Sequence, residues 1–408
     1  METDRHYLTA KQAADALGVT RATLYAYTSR RQLQSEAVPG RPRERRYYRE
    51  DVDRLLERKE SRRDPATAAA RGLHWGSPVL SSSITLIHNG KLYYRGQDAL
   101  QLAETATLEQ VAELLWAAET SETERLFEQP GTLAPRQVAR LRAYSKDPLV
   151  RLQTALPLAG ARDLASYDLR PAAVRQTGAR ILRLLTTIVA RRSPHAPVHL
   201  ALQATWAPGK PHVAEAIRMA LVLCADHELN VSAFAARCAA SAGASPYDTV
   251  SAAMATLKGR RHGGETQRVS ALIAETGTPR RARAAVADWL RRGDKLPGFG
   301  HPLYPAGDPR AARLMRLAEA SGNSAEWRLA RALSGAALEL LHELPNLDFG
   351  LVALARTYRL PPNAPLLLFA LGRTVGWIAH AIEQYASEEL IRPRAHYTGP
   401  APEATELG

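Results

Sequence analysis

Four short polar segments interrupt an otherwise apolar, helix-patterned chain, and each holds a side chain able to do chemistry. They are "ADHELNVSAF" with His227 and Asn230, "LKGRRHGGE" with His262, "LPGFGHPLYPAGDPR" with His301 and Arg310, and "LPNLDFG" with Asp348. Histidine and aspartate move protons near neutral pH, and a planar guanidinium matches a carboxylate with two parallel hydrogen bonds. Each segment also has an ordinary structural alternative. His227 sits among apolar neighbours on an expected helix and reads equally as a satisfied buried imidazole. His262 precedes Gly263-Gly264, as in a loop that ends a helix, and Asp348 in Pro-Asn-Leu-Asp fits an N-cap. A metal centre finds no support, because the histidines and the aspartate lie 35, 39 and 47 residues apart, which matches no local ligand motif. Nor is "PGFGH" a Walker phosphate loop, which needs GxxxxGK[ST].

The elements that must position these residues are mostly helical. "SITLIHNGKLYYRG" predicts one hairpin, with Asn89-Gly90 as the two-residue turn between alternating apolar positions. "TLEQVAELLWAAE" follows as a helix with a Thr107–Gln110 capping box and a stripe of Leu108, Val111, Leu114 and Leu115. Helical periodicity then runs to about residue 390, for example over 180–191, 211–226 and 325–342. Strands and helices do not alternate, so a parallel sheet is not expected, and no internal repeat is evident. Asp308-Pro309 reads as the cap and first turn of a helix that carries Arg310. Pro302 and Pro305 stiffen the segment before it, with no demand visible in the sequence.

The first 60 residues have a different grammar. Thr9 caps a short helix to Leu17, Gly18-Val19 turns the chain, and Thr20 caps a second helix to about Arg31. "PGRPRERR", residues 39–46, reads as a basic wing loop, and residues 51–59 as a third helix with Val52, Leu55 and Leu56 on one face. This pattern resembles the winged helix-turn-helix domain of MerR-type regulators and excisionases. The resemblance implies DNA contacts from Thr20, Arg21, Thr23, Arg43, Arg45 and Arg46, the positions that face phosphates in such domains. The alternative is a generic three-helix module that docks onto protein.

Composition limits the remaining classes. The chain has 408 residues, 45% hydrophobic and 23% charged, values ordinary for a globular protein with two or three domains. The net charge is +13, and residues 1–63 hold 15 Lys and Arg against 10 Asp and Glu, which invites a polyanion partner. The longest apolar run, 364–372, meets Arg373 and is too short to cross a bilayer, and the N-terminus has no secretory apolar stretch. Cys224 and Cys238 fit neither a disulfide framework nor a zinc site, so a reducing cytoplasm is expected.

Taken in order, the four segments resemble the active-site signatures of the citrate synthase family. "KGRRHGGE", "PGFGHPLYPAGDPRA" and "PNLDFG" carry the likeness, with "DHELNVSAFAAR", "LGRTVGWIAHAIEQ" and "RPRAHYTG" beside them, over roughly residues 75–400. The resemblance implies an all-α two-domain fold behind the winged helix-turn-helix. Residues 1–62 would be the small basic domain, 63–74 a linker, 75–260 with 360–405 a large domain, and 261–359 a small domain. It implies condensation of acetyl-CoA with oxaloacetate and hydrolysis of the thioester, acyl-CoA being a substrate and no cofactor being needed. The alternatives are a 2-methylcitrate synthase using propionyl-CoA, or a DNA-binding regulator whose synthase-like body senses metabolites. By position, Asp348 would be the base, His262 the donor to the thioester oxygen and His301 the donor to the ketone. His227, Arg310, Arg373 and Arg392 would hold oxaloacetate, with Arg392 reaching the partner's site in a homodimer. The backbone of Leu296, Pro297, Gly298, Phe299 and Gly300 would face CoA, the glycines allowing close approach.

Three departures from the family's usual wording stand out. Arg260, Arg261 and Glu265 replace apolar or small residues around His262. The loop after Asp348 reads Phe349-Gly350 and lacks the usual Tyr and Ser. A family HPM segment is here Asp147-Pro148-Leu149.

Overall fold

The computed structural model describes residues 7–30, 32–38, 41–49, 51–53, 55–56, 80–118, 126–128, 133–190, 196–322, 324–395 and 397–400. The chain divides into two units, Met1–Ser81 and Ser82–Gly408. The expected linker at 63–74 lies outside the described residues.

In the first unit the order is β1 (Tyr7–Thr9), α1 (Ala10–Leu17), α2 (Arg21–Ser29), β2 (Ser35–Val38) and β3 (Arg41–Tyr48). Thr9 and Gln12 form a reciprocal capping box, and Gly18 ends α1 in the left-handed conformation at φ 60°. The Thr20 side chain accepts the Thr23 N–H to start α2. Helical residues recur at 49, 51–53 and 55–56, where Val52 and Leu55 are buried, while 57–59 lie outside the described residues. The core joins Leu8, Ala13, Leu17, Leu24, Leu33, Tyr47, Val52 and Leu55.

The basic "wing loop" is corrected. Residues 41–48 are a strand, paired antiparallel with both β1 and β2. Strand pairing gives Arg45 and Arg46 partners within the unit. Arg46 bonds Glu36 at 2.5 Å and lies over the Tyr7 ring, while Arg45 donates to the Ser35 hydroxyl at 2.8 Å.

The second unit opens with β4 (Thr85–His88), β5 (Lys91–Tyr94) and β6 (Gln97–Asp98), a small antiparallel sheet in the order β4-β5-β6. Asn89 and Gly90 take φ 50° and 71°, the positive pair that a type I′ hairpin turn requires. Helices follow: α3 (Ala99–Thr105), α4 (Leu108–Leu115), α5 (Pro135–Tyr144), α6 (Pro148–Gly160), α7 (Pro171–Ala190), α8 (Val198–Trp206) and α9 (Val213–Cys224). Then come α10 (Val231–Ser241), α11 (Pro246–Leu257), α12 (Glu265–Thr276), α13 (Ala282–Arg291), α14 (Pro309–Ala320), α15 (Ala325–Leu341), α16 (Leu347–Thr357) and α17 (Ala364–Ser387). The capping box expected at Thr107 and Gln110 is present at the start of α4. α9 stops at Cys224, so His227 stands in the turn beyond the helix, not on it as the periodicity suggested.

α17 runs through the centre. It is long and apolar enough to cross a membrane, but 94% of its apolar window is buried against protein, and it carries Arg373 and His380. It is a core helix, touching α7, α9, α10, α11 and α16. A Cβ on Gly376 would collide with the Ala225 carbonyl and the Asp226 carboxylate, so only glycine lets α17 come this close to the turn holding His227. The main core draws on side chains from Ile84 to Leu257 and from Leu314 to Ile382, and a second one gathers side chains between Val269 and Ala353.

Candidate active site

Each of the four polar segments is a break between helices, and in each the chain turns because a local device ends one helix or starts the next. After α9, Asn230 caps α10, its side-chain oxygen accepting the Ser232 and Ala233 amides at 3.1 and 3.2 Å. His227 lies in that turn, 7% exposed. It is anchored by its neighbour Asp226, whose carboxylate accepts the Thr85 hydroxyl at 2.6 Å and lies 3.4 Å from His380 Nε2. Between α11 and α12, His262 N–H closes a turn onto the Gly259 carbonyl at 2.9 Å.

The third segment explains its prolines. Tyr304 N–H returns to the His301 carbonyl, and Gly307 N–H to the Tyr304 carbonyl, giving two successive tight turns. Pro302 and Pro305 each occupy the second position of a turn, where the fixed φ of proline is favourable. Asp308 then caps α14 by accepting the Arg310 amide at 3.0 Å. At α16 the cap is Asn346, which accepts the Asp348 and Phe349 amides at 3.1 and 3.4 Å. Asp348 is therefore not the cap, and its carboxylate is left for other use.

The folded chain brings His227, His262, His301, Arg310, Asp348 and Arg373 into one electrostatic neighbourhood. The His227 and His301 rings meet edge to face at 5.1 Å, and both pack on Tyr304, whose hydroxyl is 3.0 Å from His227 Nε2. His262 Nε2 is 2.8 Å from the Ser232 hydroxyl, and its ring meets Phe369 edge-on at 5.6 Å. Arg373 lies over the other partner of that contact, Phe369, at 4.8 Å, and donates Nε to the Cys224 carbonyl at 2.8 Å. Arg310 is held by Asp308 through Nε and Nη2 at 3.0 and 2.8 Å.

Burial sets the protonation states. It pushes the Asp348 carboxyl up to about 7, with the negative charge of Glu265 adding to the effect and Arg310 and Arg373 opposing it. One of its oxygens, Oδ1, is buried with no hydrogen-bond partner. Burial, reinforced by Arg373, holds His262 down to about 3, and burial with Arg310 holds His301 down to about 4. Burial followed by Arg310 and Arg373 keeps His227 well below the usual histidine range. All three imidazoles are neutral at pH 7. His301 Nδ1 accepts the Leu303 N–H at 3.2 Å, which puts its single ring proton on Nε2. Burial raises Asp308, but Arg310 outweighs it and leaves the carboxyl below its ordinary value. A carboxyl titrating near neutrality, neutral imidazole donors and two buried guanidiniums suit proton abstraction from a weak carbon acid next to a bound dicarboxylate.

Not every expected residue joins the cluster. Arg392 is exposed in the irregular segment after α17. Leu296 and Phe299 are buried, and Phe299 bridges to Pro345. At Gly298, φ 86°, an added Cβ would come 2.6 Å from Val269 and 3.1 Å from Phe349, so the close approach is made to the protein itself. Thr20, Arg21, Thr23, Arg45 and Arg46 belong to the first unit, and the side chain of Arg43 lies outside the described residues. Thr20 and Thr23 share a hydroxyl contact at 3.0 Å, and Arg21 and Arg45 are exposed. Sequence reading missed three residues of the cluster. Tyr304 lay inside the quoted motif without a role, Ser232 was visible only as a polar residue in the first quoted segment, and Phe369 gave no signal, being one apolar residue of a core helix. Among the described residues no group of His, Cys, Asp and Glu is arranged to hold a metal.

Comparisons with known proteins point to one family. Residues 72–394 match the family model "Citrate synthase, C-terminal domain", and residues 7–60 match a helix-turn-helix domain. The chain is 31% identical to citrate synthase 2 of Bacillus subtilis over 359 residues, covering 81% of this chain and 96% of that protein. It is 32% identical to citrate synthase of Haloferax volcanii over 370 residues, covering 81% and 95%. It is also 32% identical to 2-methylcitrate synthase of Mycobacterium tuberculosis over 336 residues, covering 76% and 84%. Among solved structures, citrate synthase of Thermotoga maritima superposes with TM-score 0.71 at 28% identity, covering 82% of this chain and 96% of that one. The ternary complex of carboxymethyl coenzyme A and oxaloacetate with citrate synthase of Thermoplasma acidophilum gives 0.71 at 26% identity, covering 82% and 97%.

Proposed function

The chain belongs to the citrate synthase family, and from that premise we propose that it condenses acetyl-CoA with oxaloacetate and hydrolyses the product thioester, releasing citrate and CoA. The observation that carries this is Asp348. A carboxyl raised to about 7, with a buried and unpartnered oxygen, is a stronger base than an ordinary carboxylate while remaining partly ionised near neutral pH, as removal of the acyl methyl proton requires.

The thioester oxygen must be held while that proton leaves. The donor proposed for it is His262, whose Nε2 is 2.8 Å from the Ser232 hydroxyl. That hydroxyl gives its own proton to Asn230 Oδ1 at 2.7 Å and accepts Trp377 Nε1–H at 3.0 Å, so it holds the ring in place. The nucleophilic carbon then attacks the ketone of oxaloacetate, a carbon–carbon bond forms, and His301 Nε2–H supports the developing alkoxide. Arg310 and Arg373 take the carboxylates, beside His227. Water finally cleaves the thioester, and CoA leaves as its thiol.

The large domain of residues 75–260 and 360–405 and the small domain of 261–359 are part of the proposal, supported by the separate core between Val269 and Ala353. So is a homodimer in which Arg392 completes the partner's site. The exposed Tyr144, Leu158, Leu164 and Tyr167 support it as large apolar side chains left to solvent in the single chain. The first unit favours a second activity, DNA binding, with Arg21 at the start of α2 and Arg45 on β3 as phosphate contacts. It also favours a second reading of the whole chain, as a regulator that senses acyl-CoA or oxaloacetate. One assay separates these: CoA thiol release from oxaloacetate with acetyl- or propionyl-CoA. Release with acetyl-CoA preferred supports the synthase, preference for propionyl-CoA supports the 2-methylcitrate reaction, and no release with either leaves the sensor.

A further inference from the structure

Glu265 stands where the family usually has a small residue, and the fold gives it two contacts that such a residue cannot make. It is the first residue of α12, three positions after His262. Its Oε1 accepts the Gly298 backbone N–H at 3.1 Å, and its Oε2 accepts Arg268 Nη1 at 3.0 Å. Gly298 is tied on its other side as well, because its carbonyl accepts the Asn346 amide at 2.9 Å. Two residues on, the Gly300 amide donates to the Leu344 carbonyl at 2.9 Å. The loop before His301 is therefore stitched to the segment before Asp348 by backbone bonds, and to the segment after His262 by one side chain. In that third segment the His262 and Gly264 amides both turn back onto the Gly259 carbonyl.

We propose that Glu265 is a positioning residue of this reaction, clamping the 296–300 loop to the His262 turn through the Gly298 amide and keeping a fixed negative charge beside Asp348. The inference rests on the reading of Asp348 as the base. The charged groups around Asp348 are Glu265 from α12, Arg310 from α14 with its cap Asp308, and Arg373 from α17, with the buried Cys224 thiol at the end of α9. Of these Glu265 weighs most, and it makes Asp348 harder to ionise. A carboxylate at this position thus supports geometry with one oxygen while raising the basicity of the catalytic carboxylate with its charge.

The test uses the full chain with Glu265→Gln and Glu265→Ala. Glutamine keeps an acceptor for the Gly298 amide and removes the charge. The acid limb of its kcat/KM profile is expected to move to lower pH by about 0.5–1 unit, because loss of a neighbouring like charge favours the ionised base, while KM for the acyl-CoA stays near the wild-type value. Alanine removes both contributions. It is expected to show the same shift, a fall in kcat of about tenfold from loosened geometry, and faster backbone hydrogen exchange over 296–301, which glutamine does not show. A wild-type acid limb in Glu265→Gln, or wild-type exchange over 296–301 in Glu265→Ala, overturns the proposal. If the wild-type chain releases no CoA from either acyl-CoA, the condensation reading fails instead, and the exchange comparison alone decides for or against the clamp.

Discussion

Asp348 concentrates the conflict between stability and chemistry in this protein. Its folded value of about 7 lies above the ordinary carboxyl value of 3.8, so its favourable contribution to folding is present at low pH and is lost as pH rises through 7. Replacing it by Asn removes that loss. Asp348→Asn is expected to melt higher than wild type at pH 8, by on the order of a few °C, with a smaller gain at pH 5, as calorimetry at the two pH values checks. The same variant should lose about 10²–10⁴ in kcat, the usual worth of a general base, with oxaloacetate binding kept. A second residue-scale prediction concerns Ser232, whose hydroxyl lies 2.8 Å from His262 and accepts Trp377 Nε1–H at 3.0 Å. Ser232→Ala leaves a buried indole donor unpaired and should cost about 1–3 kcal/mol of stability, and it should lower kcat by loosening His262 without moving the acid limb. Both residues show what was legible. Asp348 announced itself through its motif, though as a possible cap. Ser232 did not, because its role depends on groups 30 and 145 residues away.

At the scale of elements, the local devices were readable because each depends on neighbours in sequence. Thr9, Thr20 and Thr107 cap helices, and Asn89-Gly90 turns a hairpin, as expected from their residue types. The misreadings came where tertiary pairing overrode composition. The arginine-rich 41–48 stretch became a strand because Tyr47 is buried in the core and the backbone pairs on both sides. The periodicity before His227 ran on past the true helix end, since the turn there is imposed by α17 pressing on Ala225 and Asp226 through Gly376. Gly376→Ala should therefore destabilise the chain by about 2–4 kcal/mol, in the range of a core overpacking that also displaces buried polar groups. Denaturant unfolding measures it, and the loss of oxaloacetate affinity should exceed the loss of acyl-CoA affinity, because the displaced turn carries His227.

At the scale of the whole molecule, the proposed dimer and the proposed DNA contact each have a direct readout. If Arg392 completes the partner's site, Asp348→Ala and Arg392→Ala chains, each inactive alone, should regain about a quarter of wild-type activity when refolded together, since half the random dimers then hold one intact site. Absence of recovery would place Arg392 elsewhere. For the first unit, affinity for DNA of its own promoter region should fall steeply with salt, and Arg21→Ala or Arg45→Ala should each reduce the log–log slope by about 1. Read by itself, the sequence determined the helix class of the large unit, the helix-turn-helix grammar of the small one and the family to which four dispersed motifs point. Those features are written in spacing and residue type, which neighbours along the chain suffice to fix. Only the tertiary structure decided that His262 and His301 are neutral, that Asp348 sits near 7 and that Glu265 holds Gly298. Protonation and clamping depend on burial and on charges brought together from distant segments, and no local pattern encodes either.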